Sequence, residues 1–282
     1  MIDVDLKATR SRLGKLRRYV DTHLLDQGEF ICSMFDACGS SRHPGDDFRE
    51  GTMSHVGKRF DLSLDGKPLR VVVVGQESGW PKDPQQQLLA RRVTLEDRYR
   101  QIHDGTGLKR RYYTEPGHPG RNPHMRGTTS ALRVIFGKGL GTDFPGEFVE
   151  PAHGKPFHIF DAFALVNRLL CSAGPPQSSQ GRPSSRMFKN CGSHFAATMS
   201  ILEPTLVIVQ GKAVARWVNP VLTPNKTHDE YLHEAQLGQR SVLVCTFSHP
   251  SAHGSIRWGD RLDAAYLSAV VVPTLSRALD LM

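Results

Sequence analysis

The chain has 282 residues, a length that suits one large domain burying about 75% of its unfolded surface, so the core needs no staples. Lys and Arg number 36 against 28 Asp and Glu, a formal charge of +8 that suits a polyanionic partner such as DNA. No apolar stretch is long enough to span a bilayer, and the start, Met1 to Lys7, has no signal-peptide apolar region; a cytoplasmic location without a membrane partner is expected.

In chain order, residues 5–26 read as an amphipathic helix, with Leu13, Leu16, Val20 and Leu24 at helical spacing. The same helix carries Lys7, Arg10, Arg12, Lys15, Arg17 and Arg18, a basic face for a polyanion or simply a solvated one. A turn-rich stretch follows from Cys32 to Gly51. Residues 69–74 are a buried strand, marked by their β-branched run and a glycine stop. Residues 80–124 are rich in Pro, Gly, Arg and Gln and read as an insertion, with a helix over 86–103 and a second basic cluster of Lys109, Arg110, Arg111, Arg121 and Arg126. A helix is expected at 128–136 and a strand at 158–166, then a loop at 172–186. A helix at 188–202 is ended by Pro204. A strand at 206–209 leads through Gln210-Gly211 into a helix at 212–218, and a strand at 241–247 precedes a final helix over 260–280. Strands alternating with helices imply a mostly parallel sheet covered on both faces.

Three of these strands end in small polar signatures. Val71 to Val74 run into Gly75-Gln76-Glu77-Ser78-Gly79, Phe160 to Val166 into Asn167, and Val242 to Phe247 into Ser248-His249-Pro250-Ser251. Ligands in open α/β sheets bind at the carboxyl ends of strands. The glycine turn is neither Gly-x-Gly-x-x-Gly nor a Walker loop, so no nucleotide cofactor is expected. Of five cysteines, Cys32 and Cys38 flank one turn and Cys171 and Cys191 another loop; together they suit an iron–sulfur cluster, a zinc, or four unrelated thiols, while Cys245 reads as core.

Taken in order, the signatures resemble the uracil-DNA glycosylase superfamily, most closely its iron–sulfur branch, family 4, over about Cys32 to Ser251. Gly75 to Gly79 resembles that family's Gly-Glu-Ala-Pro-Gly, and Pro123 to Leu132 its Pro-Phe-Val-Gly-Arg-Ala-Gly-Gln-Leu-Leu. Asn167 lies four residues before Cys171, as in Asn-Val-Val-Lys-Cys; Pro204 to Arg216 and Phe247 to Ser251 complete the series. The resemblance implies a single-domain, three-layer α/β/α sandwich over 1–282 with a central four-stranded parallel sheet, a monofunctional glycosylase acting as a monomer, and a [4Fe-4S] cluster on Cys32, Cys38, Cys171 and Cys191.

The chemistry gives each residue a role. His249 donates to the departing base, Asn167 reads the base edge, and Glu77 orients water; Gly75, Gln76, Ser78, His124 and Ser251 line the substrate. Lys212 and Arg257 meet phosphate, and Ile256 or Trp258 fills the gap left by a flipped base. Departures matter too. The first cysteine pair is Cys-x5-Cys rather than Cys-x2-Cys. His124 replaces the family's stacking phenylalanine, Lys82 stands near where family 4 has a glutamate that crowds the base C5 position, and Gln76 occupies the position of that family's acid. The expected substrate is uracil or a 5-modified pyrimidine, as in phage DNA, with defence as the implied setting; the alternative is a non-catalytic DNA-binding or damage-sensing protein on the same fold.

Overall fold

The computed structural model describes residues 1–27, 29–77, 94–105, 121–176, 178, 181–259 and 261–282. The chain is mixed α/β, built on one seven-stranded mixed sheet. Its strands are β1 (His55–Val56), β2 (Val71–Gly75), β3 (Phe163–Asn167), β4 (Leu206–Gln210), β5 (Thr223–Thr227), β6 (Leu232–Leu237) and β7 (Arg240–Phe247). Their order across the sheet is β5-β6-β7-β4-β2-β3-β1. The four expected strands, β7, β4, β2 and β3, are neighbours and mutually parallel. The sheet is nevertheless wider than the expected four strands, because β1 adds antiparallel to β3, and β6 and β5 add antiparallel beyond β7.

Eight α-helices lie among the described residues: α1 (Leu6–His23), α2 (Phe35–Ser40), α3 (Leu95–Arg100), α4 (Pro123–Ile135), α5 (Ser185–Asn190), α6 (Gly192–Leu202), α7 (Lys212–Val218) and α8 (Val272–Leu281). None is long and apolar enough to cross a membrane. Strand alternation sends successive side chains to opposite faces. Val72 and Val74 therefore join Leu16 and Val20 of α1, Met199 of α6 and Val214 of α7 in one apolar cluster. Val71 and Val73 join Leu132 of α4 and Leu275 of α8 in another. All four valines are fully buried, so a charged replacement at any of them would strand an unpaired ion in the core.

Several boundaries differ from expectation. Asn122 caps α4, its side chain accepting from Met125 N–H at 2.9 Å, and Pro123 fits the first turn, where its missing N–H costs nothing. The helix thus starts five residues earlier than the apolar pattern, and His124 lies in its first turn. Cys171–Gly174, which enters the loop expected at 172–186, pairs antiparallel with Asp47–Glu50. The expected helix at 188–202 is two helices, α5 and α6, divided at Cys191. The final helix is shorter: turns occupy 262–263, a π-turn covers Leu267–Val271, and α8 follows.

Candidate functional site

Register aligns the strand ends. Asn167 lies beside Gly75, and Gln210 beside Phe247, so the polar residues after β2, β3, β4 and β7 emerge along one edge. Two backbone bonds extend this alignment: Arg168 N–H donates to Gly75 O at 2.9 Å and Leu169 N–H to Gln76 O at 2.8 Å. Gly75 lies between the two side chains: a Cβ there would stand in van der Waals contact with His124 Nε2 at 3.5 Å and Asn167 Oδ1 at 3.6 Å. Asn167 is buried, with Nδ2 donating to Thr52 Oγ1 at 3.4 Å.

His249 stacks on His124, the ring centroids 5.6 Å apart and tilted by 29°. Ser251 N–H donates to His249 Nδ1 at 3.2 Å, and the Ser251 hydroxyl lies 2.7 Å from the same nitrogen. Nδ1 is therefore an acceptor, and the proton of the neutral ring sits on Nε2. Partial burial holds His249 below the usual imidazole range, so the ring is neutral at pH 7. Burial foremost, then repulsion from the neighbouring His249 should it protonate, the charge of Arg98 and a position at a helix N-terminus all keep His124 neutral; its pKa falls to about 3. Fully buried Gln210 bonds His124 and donates through Nε2 to Thr128 Oγ1 at 3.1 Å, while its Oε1 has no partner.

The His249 loop is clasped to α4. Trp258 Nε1 donates to Ser248 O at 2.9 Å, the Ser248 hydroxyl to Ile256 O at 2.6 Å, and Gly259 N–H to Pro250 O at 2.9 Å. Pro250 and Trp258 press on Gly127, where a Cβ would lie 2.8 Å from Pro250 Cβ and 3.0 Å from Trp258 Cζ3.

The structure brings Gly75, His124, Asn167 and His249 together, with Ser251 orienting the histidine. Glu77 shares the turn, but its carboxyl points elsewhere. Oε1 accepts from Gln76 Nε2 at 3.4 Å and fills the space that a side chain at Gly181 would need. Oε2 is buried without a partner, and burial pushes the Glu77 carboxyl up to about 8, opposed by Gln76 and the charge of Arg49. Ser78 and Lys82 lie outside the described residues, as do Lys109, Arg110 and Arg111.

The expected DNA contacts divide. Ile256 is 46% exposed at the loop tip, whereas Trp258 is only 1% exposed. Trp258 is thus corrected from a wedge to a loop anchor, because its indole is packed and its N–H is already bonded. Arg257 is half-buried beside Ile256. Lys212 is exposed, but its Nζ donates to Glu230 Oε1 at 2.7 Å. In the first basic cluster, Arg12 pairs with Asp61 at 2.8 Å and Glu203 at 3.0 Å, and Arg17 pairs with Glu96, so that face is partly neutralised.

All five cysteines are free thiols. Cys38, Cys171 and Cys191 share the α1-side cluster with Cys32 packed against it, whereas Cys245 is buried on the opposite face, as expected of core. Burial raises the Cys171 thiol, and the neighbouring Cys191, Cys38 and Cys32 raise it further. Burial pushes Cys191 up to about 11; the Leu170 N–H and Arg168 oppose, and Cys38 and Cys32 add. Cys32 Sγ lies 3.6 Å from His194 Nε2, and Asn190 Nδ2 lies 3.3 Å from Cys38 Sγ. Among the described residues, no group of three or more His, Cys, Asp or Glu side chains stands in position to hold a single metal ion. Cys191, Cys38 and Cys32 act on Cys171, and Cys38 and Cys32 act on Cys191, so the four thiols lie within electrostatic reach of one another on one apolar side of the sheet.

Sequence reasoning missed Thr52, Gln210, Arg98 and Arg168 as parts of this edge. Gln210 carried the same signal as Asn167, a polar residue closing an apolar strand. Arg98 did not, for it reaches His124 from α3, and its Nε is buried without a partner. A scan against protein-family models finds no match to this chain, and no curated protein matches it.

Proposed function

We propose that the chain is a monofunctional DNA glycosylase that flips out uracil or a 5-modified pyrimidine and hydrolyses its N-glycosidic bond. The observation that carries this reading is His249: a neutral imidazole, fixed through Nδ1 and presenting Nε2–H, at the same strand edge as a buried asparagine amide. Departure of a pyrimidine leaves negative charge on the base, and a fixed donor aimed at that oxygen stabilises it as an oxyanion hole does. Asn167 offers a carbonyl and an NH2 to the base edge. We assign water orientation to Glu77, whose unpartnered Oε2 is a spare acceptor once the carboxyl turns from Gln76 and Gly181 toward the sugar.

The parallel run β3-β2-β4-β7 with helices on both faces supports a three-layer α/β/α sandwich of the uracil-DNA glycosylase type. DNA would meet the clasped His249 loop with Ile256 foremost. His124, with the charge of Arg98 acting on it, makes this edge polar, which favours a base more polar than uracil. A four-iron cluster on Cys32, Cys38, Cys171 and Cys191 would cross-link four segments and brace the end of β3. The chain is read as a cytoplasmic monomer with defence against modified phage DNA as its setting. Among the described residues no lysine joins Gly75, His124, Asn167 and His249, and the proposed reaction is base release without strand cleavage.

A non-catalytic DNA sensor is the second reading, favoured by one observation: with a pKa of about 8, Glu77 is protonated at neutral pH. Incubating the protein with uracil-containing DNA and with modified phage DNA, then identifying released bases by mass spectrometry, separates the two. Free base lost on His249→Ala supports the glycosylase; DNA binding with no base released from either substrate makes the chain a sensor.

A further inference from the structure

Arg168 directly follows the base-reading Asn167 and is 4% exposed. Its Nε donates to Trp217 O at 2.8 Å and its Nη2 to Phe188 O at 2.9 Å. The guanidinium lies over the Phe195 ring at 5.2 Å and the Phe188 ring at 5.9 Å. Nη1 is buried and has no hydrogen-bond partner. Among the described residues no carboxylate pairs with this guanidinium. Arginine does not lose its proton inside proteins, so the positive charge remains. Backbone carbonyls and aromatic faces soften that burial but bring no opposite charge.

Arg168 Nη2 lies against Gly192, the residue after Cys191, where a Cβ would stand 3.6 Å from it, and among the described residues Cys191 is the ionisable group of opposite sign that acts on Arg168. As a neutral thiol, Cys191 leaves the guanidinium uncompensated. As a thiolate bound to iron, it supplies the missing charge. We propose that Arg168 is the counter-charge of a thiolate-bound iron–sulfur cluster and the positioning residue that ties this cluster to the strand end carrying Asn167. The inference rests on the cluster placed above on Cys32, Cys38, Cys171 and Cys191. It explains two oddities together: a buried cation without an acid, and converging thiols without a bridge.

The test uses the full chain purified without oxygen, comparing wild type with Arg168→Met and Arg168→Lys. Iron per chain, absorption near 400 nm, iron loss to a chelator and the midpoint potential are measured. Arg168→Met is expected to lose iron about 10- to 100-fold faster than wild type, with Arg168→Lys recovering part of the retention. The potential of loaded Arg168→Met is expected to move to more negative values, because a cation beside the cluster favours the added electron. Two hydrogen bonds to helix carbonyls, a purely structural role, would not move that potential. Where Arg168→Met does not accumulate, Arg168→Gln against Arg168→Lys gives the same contrast. Wild-type iron retention and potential in the uncharged variant overturn the inference. A wild-type chain that releases base yet holds no iron also overturns it and leaves the glycosylase proposal standing. An iron-loaded wild type that releases no base sinks the glycosylase proposal, while the iron-retention contrast still decides this one.

Discussion

The two ends of β3 treat buried charge in opposite ways. Before the strand, Arg121 is 1% exposed and donates twice to Glu147 at 2.6 Å, and Glu147 Oε2 also meets His158 Nε2 at 2.8 Å. After the strand, Arg168 is nearly as buried and pairs with no acid among the described residues. Gln210 Oε1 and Glu77 Oε2 are likewise buried and unpartnered near that end. A closed network holds the fold together by itself. An open one is stable only if the rest of the molecule over-determines it, which is the usual situation of a site built for a ligand.

Breaking the closed end should have the largest effect. Glu147→Ala leaves Arg121 as an uncompensated buried charge and should cost about 3–5 kcal/mol of stability. Denaturant unfolding measures it, and a loss below about 1 kcal/mol would mean that the two ends do not differ as described.

At the open end the effects should fall on activity instead. His249→Ala removes an exposed side chain, so stability should hold while single-turnover base release falls about 100- to 1,000-fold. Gly127→Ala should also slow base release without touching a functional group, because its Cβ would push Pro250 and Trp258 and so displace His249. Wild-type rates in Gly127→Ala would show that the clasp on this loop does not position the histidine.

The pH profile sharpens the comparison further. Glu77 has its pKa raised to about 8, so the carboxylate that orients water forms only as pH rises through that value. Base release should climb between about pH 7 and 9, and Glu77→Gln should be slow and flat over the same range. His249 contributes no step there, since its pKa is depressed and the ring is neutral throughout. The smallest effect belongs to Lys212→Ala: the Lys212–Glu230 pair is exposed, and its loss should change stability by less than about 0.5 kcal/mol.

Much of the edge was legible because its signals are local. An apolar run closed by Gly75, Asn167, Gln210 or Ser248-His249 identifies a buried strand and its polar end, and all four such strands are present and parallel. The added strands were not legible. β5 reads Thr-Pro-Asn-Lys-Thr and is exposed throughout, so no alternation marks it, and its partner β6 is recognisable only through the hairpin whose turn contains Gly238 at φ +60°. Trp258 was misjudged because an aromatic residue in a polar loop looks exposed until Gly127 makes room for it. Arg168 and Arg98 were missed for a different reason. A charge in sequence carries no sign of whether an acid awaits it, and that depends on which helices close over the strand ends.

The central claim is that the edge bearing Asn167 and His249 releases a base. Its most direct test is single-turnover release from uracil-containing and modified phage DNA by wild type, His249→Ala and Asn167→Ala, read by mass spectrometry. The expected result is one free pyrimidine base from wild type, an intact DNA backbone, and loss of most release in both variants. Undiminished release in both variants, or none from wild type on either DNA despite tight binding, would contradict it.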